Sequence, residues 1–430
     1  MRFLLALSLA LAVSLPARAA DWPTFLGPTR DGVSSEKGLI TPWPKEGLKK
    51  VWECELGIGF APPVTADGKL FHADRFGDNV RLTARDALTG KALWKYEYPT
   101  DYEDRYGYDP GPRACPVVDG DRVYMYGPDG VLCCVSTATG KEVWKVDTKA
   151  KYFFQQNFFG AGSVPVIDGD LLIVTVGGSE KGPRPIDFRD VKPNGTGVVA
   201  FDKKTGAVKY AAGDELASYA SPVIATIDGK KTGLYFARGG LLGFDPQTGK
   251  TQFHYRWRAK IEESVNAANP VVVGDKVLLT ECYGVGAAYL DLKGGKVKEL
   301  WTDRDKDAGD QSLMCHWNTP LHVGGFVYGS SGRHTEDADI RCVDLATGDV
   351  KWRQRRTTRC SLTLADGHLV SLSEYGTLAL LKVNAAKYEE VSKYQVPGLE
   401  YPCWAAPVVS NGILYVRGKE KLLALEVMRR

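Results

Sequence analysis

Polar and aromatic residues recur just ahead of a Pro-Val-like strand start along this chain, and their types are those of a binding site. The set is Arg113; Gln155, Gln156 and Asn157; Tyr219; Glu263, Asn266 and Asn269; His316, Trp317 and Asn318; Arg359; and Trp404. Guanidinium groups hold carboxylates through paired hydrogen bonds, and indole faces stack on flat rings, so the set suits a planar anion. Glu263 and Asn269, with Asn266 between them, carry hard oxygens of the kind calcium takes. Cys315, Cys360 and Cys403 lead into consecutive repeats beside His316, without the CxxC or HxxxH spacing of a zinc site. No nucleophile or haem motif accompanies them: GSSGR at 329–333 is not a strand-to-helix elbow, and no CxxCH occurs.

Such residues need a scaffold that brings distant segments together, and the chain supplies one by repetition. RLTARDALTGKALW (81–94), LCCVSTATGKEVW (132–144), VVAFDKKTGAVKY (198–210), LLGFDPQTGKTQF (241–253), AAYLDLKGGKVKELW (287–301) and IRCVDLATGDVKW (340–352) share one pattern: apolar strand, tight Gly turn, aromatic-closed strand. A Gly after a polar bend supplies the left-handed backbone of a hairpin. Upstream of each stands a second hairpin, as in PPVTADGKLFHA from 62, CPVVDGDRVYMY from 115 and APVVSNGILYVR from 406. Eight such units of four short strands predict an all-β, eight-bladed β-propeller of four-stranded antiparallel blades. The last unit stops before its Thr-Gly hairpin, whereas KKVWECELG (49–57) is a strand without partners, so the N-terminal strand is expected to close blade eight and remove the exposed edges. The aromatic slot (Trp52, Trp94, Trp144, Tyr210, Phe253 or Tyr255, Trp301, Trp352, Tyr394) reads as a spacer between blades.

The adjacent thiols Cys133-Cys134 invite a redox reading. In register, however, Cys134 aligns with Ala84, Ala200, Gly243, Tyr289 and Cys342, a slot that mostly takes small residues. Its neighbour must then face the other side of the strand. Neighbouring Cα atoms about 3.8 Å apart also lie below the usual disulfide span. Two strand residues are the expectation.

The first 19 residues, with Arg2, an apolar run from Phe3 to Leu15 and Ala17-Arg18-Ala19, have the plan of a cleaved secretory signal, leaving an arm over 20–48 and the propeller over 49–430. The expected protein is exported, periplasmic or secreted, with no membrane span, no lipid-anchoring cysteine at the cleavage point, and a monomeric state. Lys and Arg number 55 against 52 Asp and Glu, and no basic stripe argues for nucleic acid. Two insertions, 98–113 and 177–197, carry the Tyr, Arg and Pro content of loops that contact envelope proteins or glycans.

The hairpin pattern, the Trp slot and the unit count resemble the quinoprotein-like (PQQ-like repeat) β-propeller superfamily. DWPTFLGPTRDGVS (21–34), SVNAANP, CHWNTP and CWAAP are similar to segments of secreted planctomycete-type PQQ-like repeat proteins. The superfamily implies either a quinone- and calcium-dependent alcohol or sugar dehydrogenase or, more distantly, a BamB-like non-catalytic propeller of outer-membrane assembly. The dehydrogenases carry an adjacent-cysteine ring, a calcium held by Glu, Asn and Asp, and an Asp base. Here the cysteine pair falls in a strand and no matching Asp can be placed. The expectation is therefore a binding or scaffold module without catalysis, with pyrroloquinoline quinone and Ca2+ belonging to the alternative.

Overall fold

The structure, a computed structural model, describes residues 20–154, 158–182, 190–262 and 264–429. Eight sheets radiate around one axis. Blade one is built from Val64–Ala66, Lys69–Phe76, Asn79–Asp86 and Ala92–Pro99, in that order from the axis outward. The next six blades repeat this plan, and blade eight joins Val408–Ser410, Ile413–Arg417 and Lys421–Glu426 to Lys50–Glu55. The closing strand pairs antiparallel with Lys421–Glu426, placing Trp52 opposite Ala424, as the sequence predicts.

Burial explains why the sequence alternates in some strands and not in others. Middle strands such as Leu171–Val174 lie between two neighbouring blades and are buried on both faces, so they read as continuous apolar runs. Outer strands such as Thr251–Arg256 have one face toward solvent and show a period of two. The aromatic slot faces the next blade, and for Trp52, Trp94, Trp144, Tyr210 and Trp301 the partner there is a turn glycine, whereas Trp352 meets Asn384 O and Tyr388 instead. Trp94 Nε1 donates to Thr137 O at 3.0 Å, Trp301 Nε1 to Leu345 O at 2.9 Å, and Trp52 Nε1 to Ala87 O at 3.0 Å. A Cβ on Gly90, Gly140 or Gly348, each with φ between 70° and 78°, would meet the preceding blade's indole at 2.5–2.8 Å. The turn glycine is thus required twice, for its left-handed backbone and for the ring lying against it.

Blade eight lacks that hairpin, and the arm replaces it. Gly47 at φ +94° lies against Tyr394 of blade seven, and Trp43 meets the same ring edge-on at 5.9 Å. The arm thereby supplies the eighth spacer contact.

Cys133 and Cys134 lie in Val131–Ser136, paired with Met125 and Tyr124 on one side and with Lys145 and Trp144 on the other. Both are fully buried with free thiols, and burial raises both thiol pKa values, that of Cys134 to about 12. The small slot is explained by its cross-strand partner: Cys134, Ala84, Ala200 and Cys342 each sit opposite the slot aromatic. Among the described residues no helix is long and apolar enough to cross a membrane. The predicted signal segment, 1–19, lies outside them.

Candidate functional site

The segments leading into the innermost strands converge at one end of the axis and enclose a cavity of about 580 Å³. Its wall carries Arg113, Tyr219, His316, Trp317, Asn318, Arg359 and Trp404 from the predicted set. It also carries Phe25, Leu26, Phe60, Tyr106, Tyr108, Tyr283, Arg333, His334 and Tyr401, which the sequence reading did not select. Gln155, Gln156, Asn157 and Glu263 lie outside the described residues.

Asn266 and Asn269 do not line the cavity wall. Asn269 is buried, and its Oδ1 accepts the Ser221 amide at 2.7 Å. Asn266 Nδ2 donates to Ala237 O at 2.7 Å. A lead-in segment leaves backbone groups that strand pairing cannot reach, and these amides satisfy them. Asn318 touches the cavity, yet its Nδ2 is bound to Ser330 O at 3.0 Å. Of the oxygens expected to hold calcium, Asn269 Oδ1 is engaged by the Ser221 amide, Asn266 Oδ1 is buried without a partner, and Glu263 lies outside the described residues, among which no group of three or more His, Cys, Asp or Glu could hold a metal ion.

One side of the cavity is an aromatic wall. Trp317 and Trp404 approach at 5.3 Å between ring centroids, Phe60 meets Trp404 at 4.6 Å, and Tyr401 meets it edge-on at 6.0 Å. Arg359 lies 4.5 Å from the Trp317 ring, and its guanidinium is held by the fully buried Glu374, with Nη2 to Oε2 at 2.6 Å. Thr335 Oγ1 donates to Glu374 Oε1 at 2.8 Å, and Trp404 Nε1 reaches Oε2 at 3.4 Å. Burial works against this charge, but the bonds from Arg359 and Thr335 outweigh it and hold the Glu374 carboxyl below its ordinary pKa.

The remaining Arg359 nitrogen, Nη1, stands 3.2 Å from His316 Nδ1. Arginine only donates, so Nδ1 accepts, and a neutral ring then carries its proton on Nε2 and donates to Tyr283 Oη at 3.1 Å. Burial first, then the Arg359 and Arg333 charges, lowers the His316 pKa to about 3 and keeps the ring neutral.

Beside Phe60, the insertion 98–113 folds inward. Asp104 receives Arg113 Nη2 at 3.2 Å and the Tyr106 amide at 2.8 Å, while Asp109 accepts from Gly111 and Gly59. Arg113 lies between Phe60 and Phe159, 5.1 and 5.2 Å from their centroids. Two of the three arginines on the wall are thus neutralised by their own carboxylates. Arg333 is different: it rests 4.6 Å from the Tyr283 ring, and no carboxylate among the described residues pairs with it. It falls after a second strand, Phe326–Ser331, instead of ahead of a first one, which is why a search of lead-in segments passes over it. Phe60 had a usable signal, since FAPPV places it before a Pro-Val start just as Arg113 stands before CPVV.

Known proteins share this architecture. The structure of BamB from Moraxella catarrhalis superposes with a TM-score of 0.58 at 17% identity, covering 89% of this chain and 98% of that one. The quinohemoprotein alcohol dehydrogenase from Comamonas testosteroni does so at 0.67 and 14% identity, covering 95% and 81%. By sequence, the outer membrane protein assembly factor BamB of Burkholderia pseudomallei is 24% identical over 86% of this chain and 85% of its own length. The dehydrogenase subunit of the quinone alcohol dehydrogenase of Acetobacter aceti is 31% identical over 35% of this chain, a segment spanning only 19% of that subunit. The family model of the outer membrane protein assembly factor BamB matches residues 79–354, more than half of the chain, and the chain belongs to that family of PQQ-type propellers.

Proposed function

We propose that this propeller is an exported, non-catalytic binding module whose cavity takes a compact planar aromatic anion, stacked against Trp317 and Trp404 with its charge on Arg333. The observation that carries this reading is the unpaired Arg333 in a wall otherwise aromatic and internally neutralised. A pocket that is largely apolar, with a few convergent polar groups, is the usual form of a small-molecule site. A half-buried charge in such a place gains when a ligand brings its counter-charge.

The alternative, a quinone-dependent alcohol or sugar dehydrogenase, draws support from the relatives named for that activity. The aromatic wall and Arg333 suit a flat carboxylate such as pyrroloquinoline quinone, but with one uncommitted cation they favour a single negative charge over several. The calcium half fits poorly: among the described residues no carboxylate lines the cavity, and Glu374 and Asp104 behind it are taken by arginines. A BamB-like role in contacting other proteins or glycans would use the loops 98–113 and 177–197. The first of these, however, turns Tyr106, Tyr108 and Arg113 into the cavity.

Adding pyrroloquinoline quinone and Ca2+ to the purified protein, with dye reduction followed for ethanol and glucose, separates the two readings. No turnover together with saturable binding of 1-naphthoate is expected. Quinone-dependent turnover would reverse the order.

A further inference from the structure

The cavity has a floor, and the floor is not part of the propeller. Phe25 and Leu26 of the N-terminal arm line it, although the mouth is built from segments ahead of the innermost strands. The arm crosses the opposite end of the axis. Trp22 pairs with Thr65 at the far end of blade one's inner strand, and Pro23 O accepts the Val118 amide of blade two at 2.8 Å. Val33–Ser34 runs parallel to Leu364 and Ala365 of blade seven, and Ser34 Oγ donates to Val409 O of blade eight at 3.1 Å. Between these anchors the chain passes Leu321 of blade six, which would clash with any Cβ on Gly32. A single strap thus touches inner strands on opposite sides of the channel.

Holding that course costs local strain. Leu26 is a bulky residue at φ 61°, in the left-handed region that such side chains avoid, and it is buried against the channel. Gly27 follows at φ +82°, where a Cβ would stand 2.9 Å from the Trp22 ring. Strained backbone kept in place by its surroundings points to a positional role.

We propose that the arm is a fixed stopper in the axial channel, and that Phe25 and Leu26 set the depth of the binding cavity. Ligands then enter and leave through the mouth beside Tyr108 and Tyr401 only, and the site selects compact molecules over rods or chains that would thread the axis. The stopper stands on geometry alone, whereas the ligand-length selection rests on the function proposed above.

The test uses the mature full-length chain with Phe25→Ala, and separately Leu26→Gly, which relieves the left-handed strain while removing the side chain and so guards against misfolding. Two readouts are taken. The first is maleimide labelling of Cys115, a fully buried thiol in the core cluster against which Phe25 packs. The second is tryptophan quenching by 1-naphthoate and by the longer p-terphenyl-4-carboxylate. The stopper predicts a protected Cys115 in the parent chain and labelling in both variants. For ligand selection, it predicts that terphenyl carboxylate binds the variants about tenfold or more tightly than the parent, the worth of one further buried ring, while 1-naphthoate changes little. Cys115 labelling with neither probe binding any form would keep the stopper and overturn the ligand reading. A protected Cys115 in folded variants, or terphenyl carboxylate binding equally to the parent and the variants, would overturn the stopper.

Discussion

Replacing Glu374 by Gln tests the electrostatic frame of the cavity. The carboxylate has no exposed side-chain surface and receives Arg359 through Nε at 3.1–3.2 Å and Nη2 at 2.6 Å, the Arg359 amide at 3.2 Å and Thr335 at 2.8 Å. The amide keeps one acceptor and loses the charge, leaving a guanidinium that is only 14% exposed without its counter-ion. Breaking a buried pair from one side costs about 3–5 kcal/mol. The lower end, about 3 kcal/mol, is expected because Arg359 keeps its bonds to His316 and to Arg333 O. Urea unfolding at pH 7, followed by tryptophan fluorescence, measures the loss. Arg359→Met in the same background should recover part of it, with a coupling of about 2 kcal/mol between the two sites. The loss should also change little between low and high salt, since a buried pair is poorly screened. A loss below about 0.5 kcal/mol, the worth of an exposed pair, would refute the buried frame.

Three further outcomes follow from the same contacts. His316 and His72 are both held neutral, each with a pKa of about 3, so the unfolded chain binds protons below its ordinary value of 6.5 while the native chain does not. Stability should therefore fall as pH drops from 6.5 toward 3, by up to about 3 kcal/mol per histidine at pH 4.5, and His316→Gln should flatten that slope in pH-dependent melts. The Glu374 contribution is lost progressively as pH falls from its ordinary value of 4.5 to its depressed pKa, and so adds to the loss at the acid end. Trp52→Ala removes the ring that docks blade eight on Gly90 and should cost about 3–5 kcal/mol in thermal or urea unfolding; a near-neutral effect would show that closure does not depend on the slot. N-terminal sequencing of exported material is expected to begin at Ala20, whose nitrogen stands 3.1 Å from Glu36 Oε1, and Glu36→Gln should then lower its stability.

The repeat made the scaffold legible. Thr-Gly turns, aromatic slots and Pro-Val starts are local signals, and each recurs often enough for one copy to check another. Even the closing strand could be placed, because Trp52 fills a slot that the last unit leaves empty. The site was legible only as far as it obeys that register. Arg113, Tyr219, His316, Trp317, Arg359 and Trp404 precede inner strands and do line the cavity. Asn266 and Asn269 hold the same register but serve backbone groups, a distinction that depends on where each amide points. Arg333 follows a strand, and Phe25 and Leu26 sit on an arm anchored by contacts distant in sequence, such as Ser34 Oγ to Val409 O, so no periodicity could have found them. Sequence also could not show which arginines are already paired. Asp104 lies nine residues before Arg113, but Glu374 and Arg359 meet only because a strand and its lead-in share one blade.

The measurement that bears most directly on the central claim is a 1-naphthoate titration of the parent chain and of Arg333→Met, followed by tryptophan fluorescence and calorimetry. Saturable one-site binding that weakens about tenfold or more in the variant, the worth of one desolvated charge-assisted bond, is predicted. Absence of saturation in the parent, or equal affinity in both, would contradict the account.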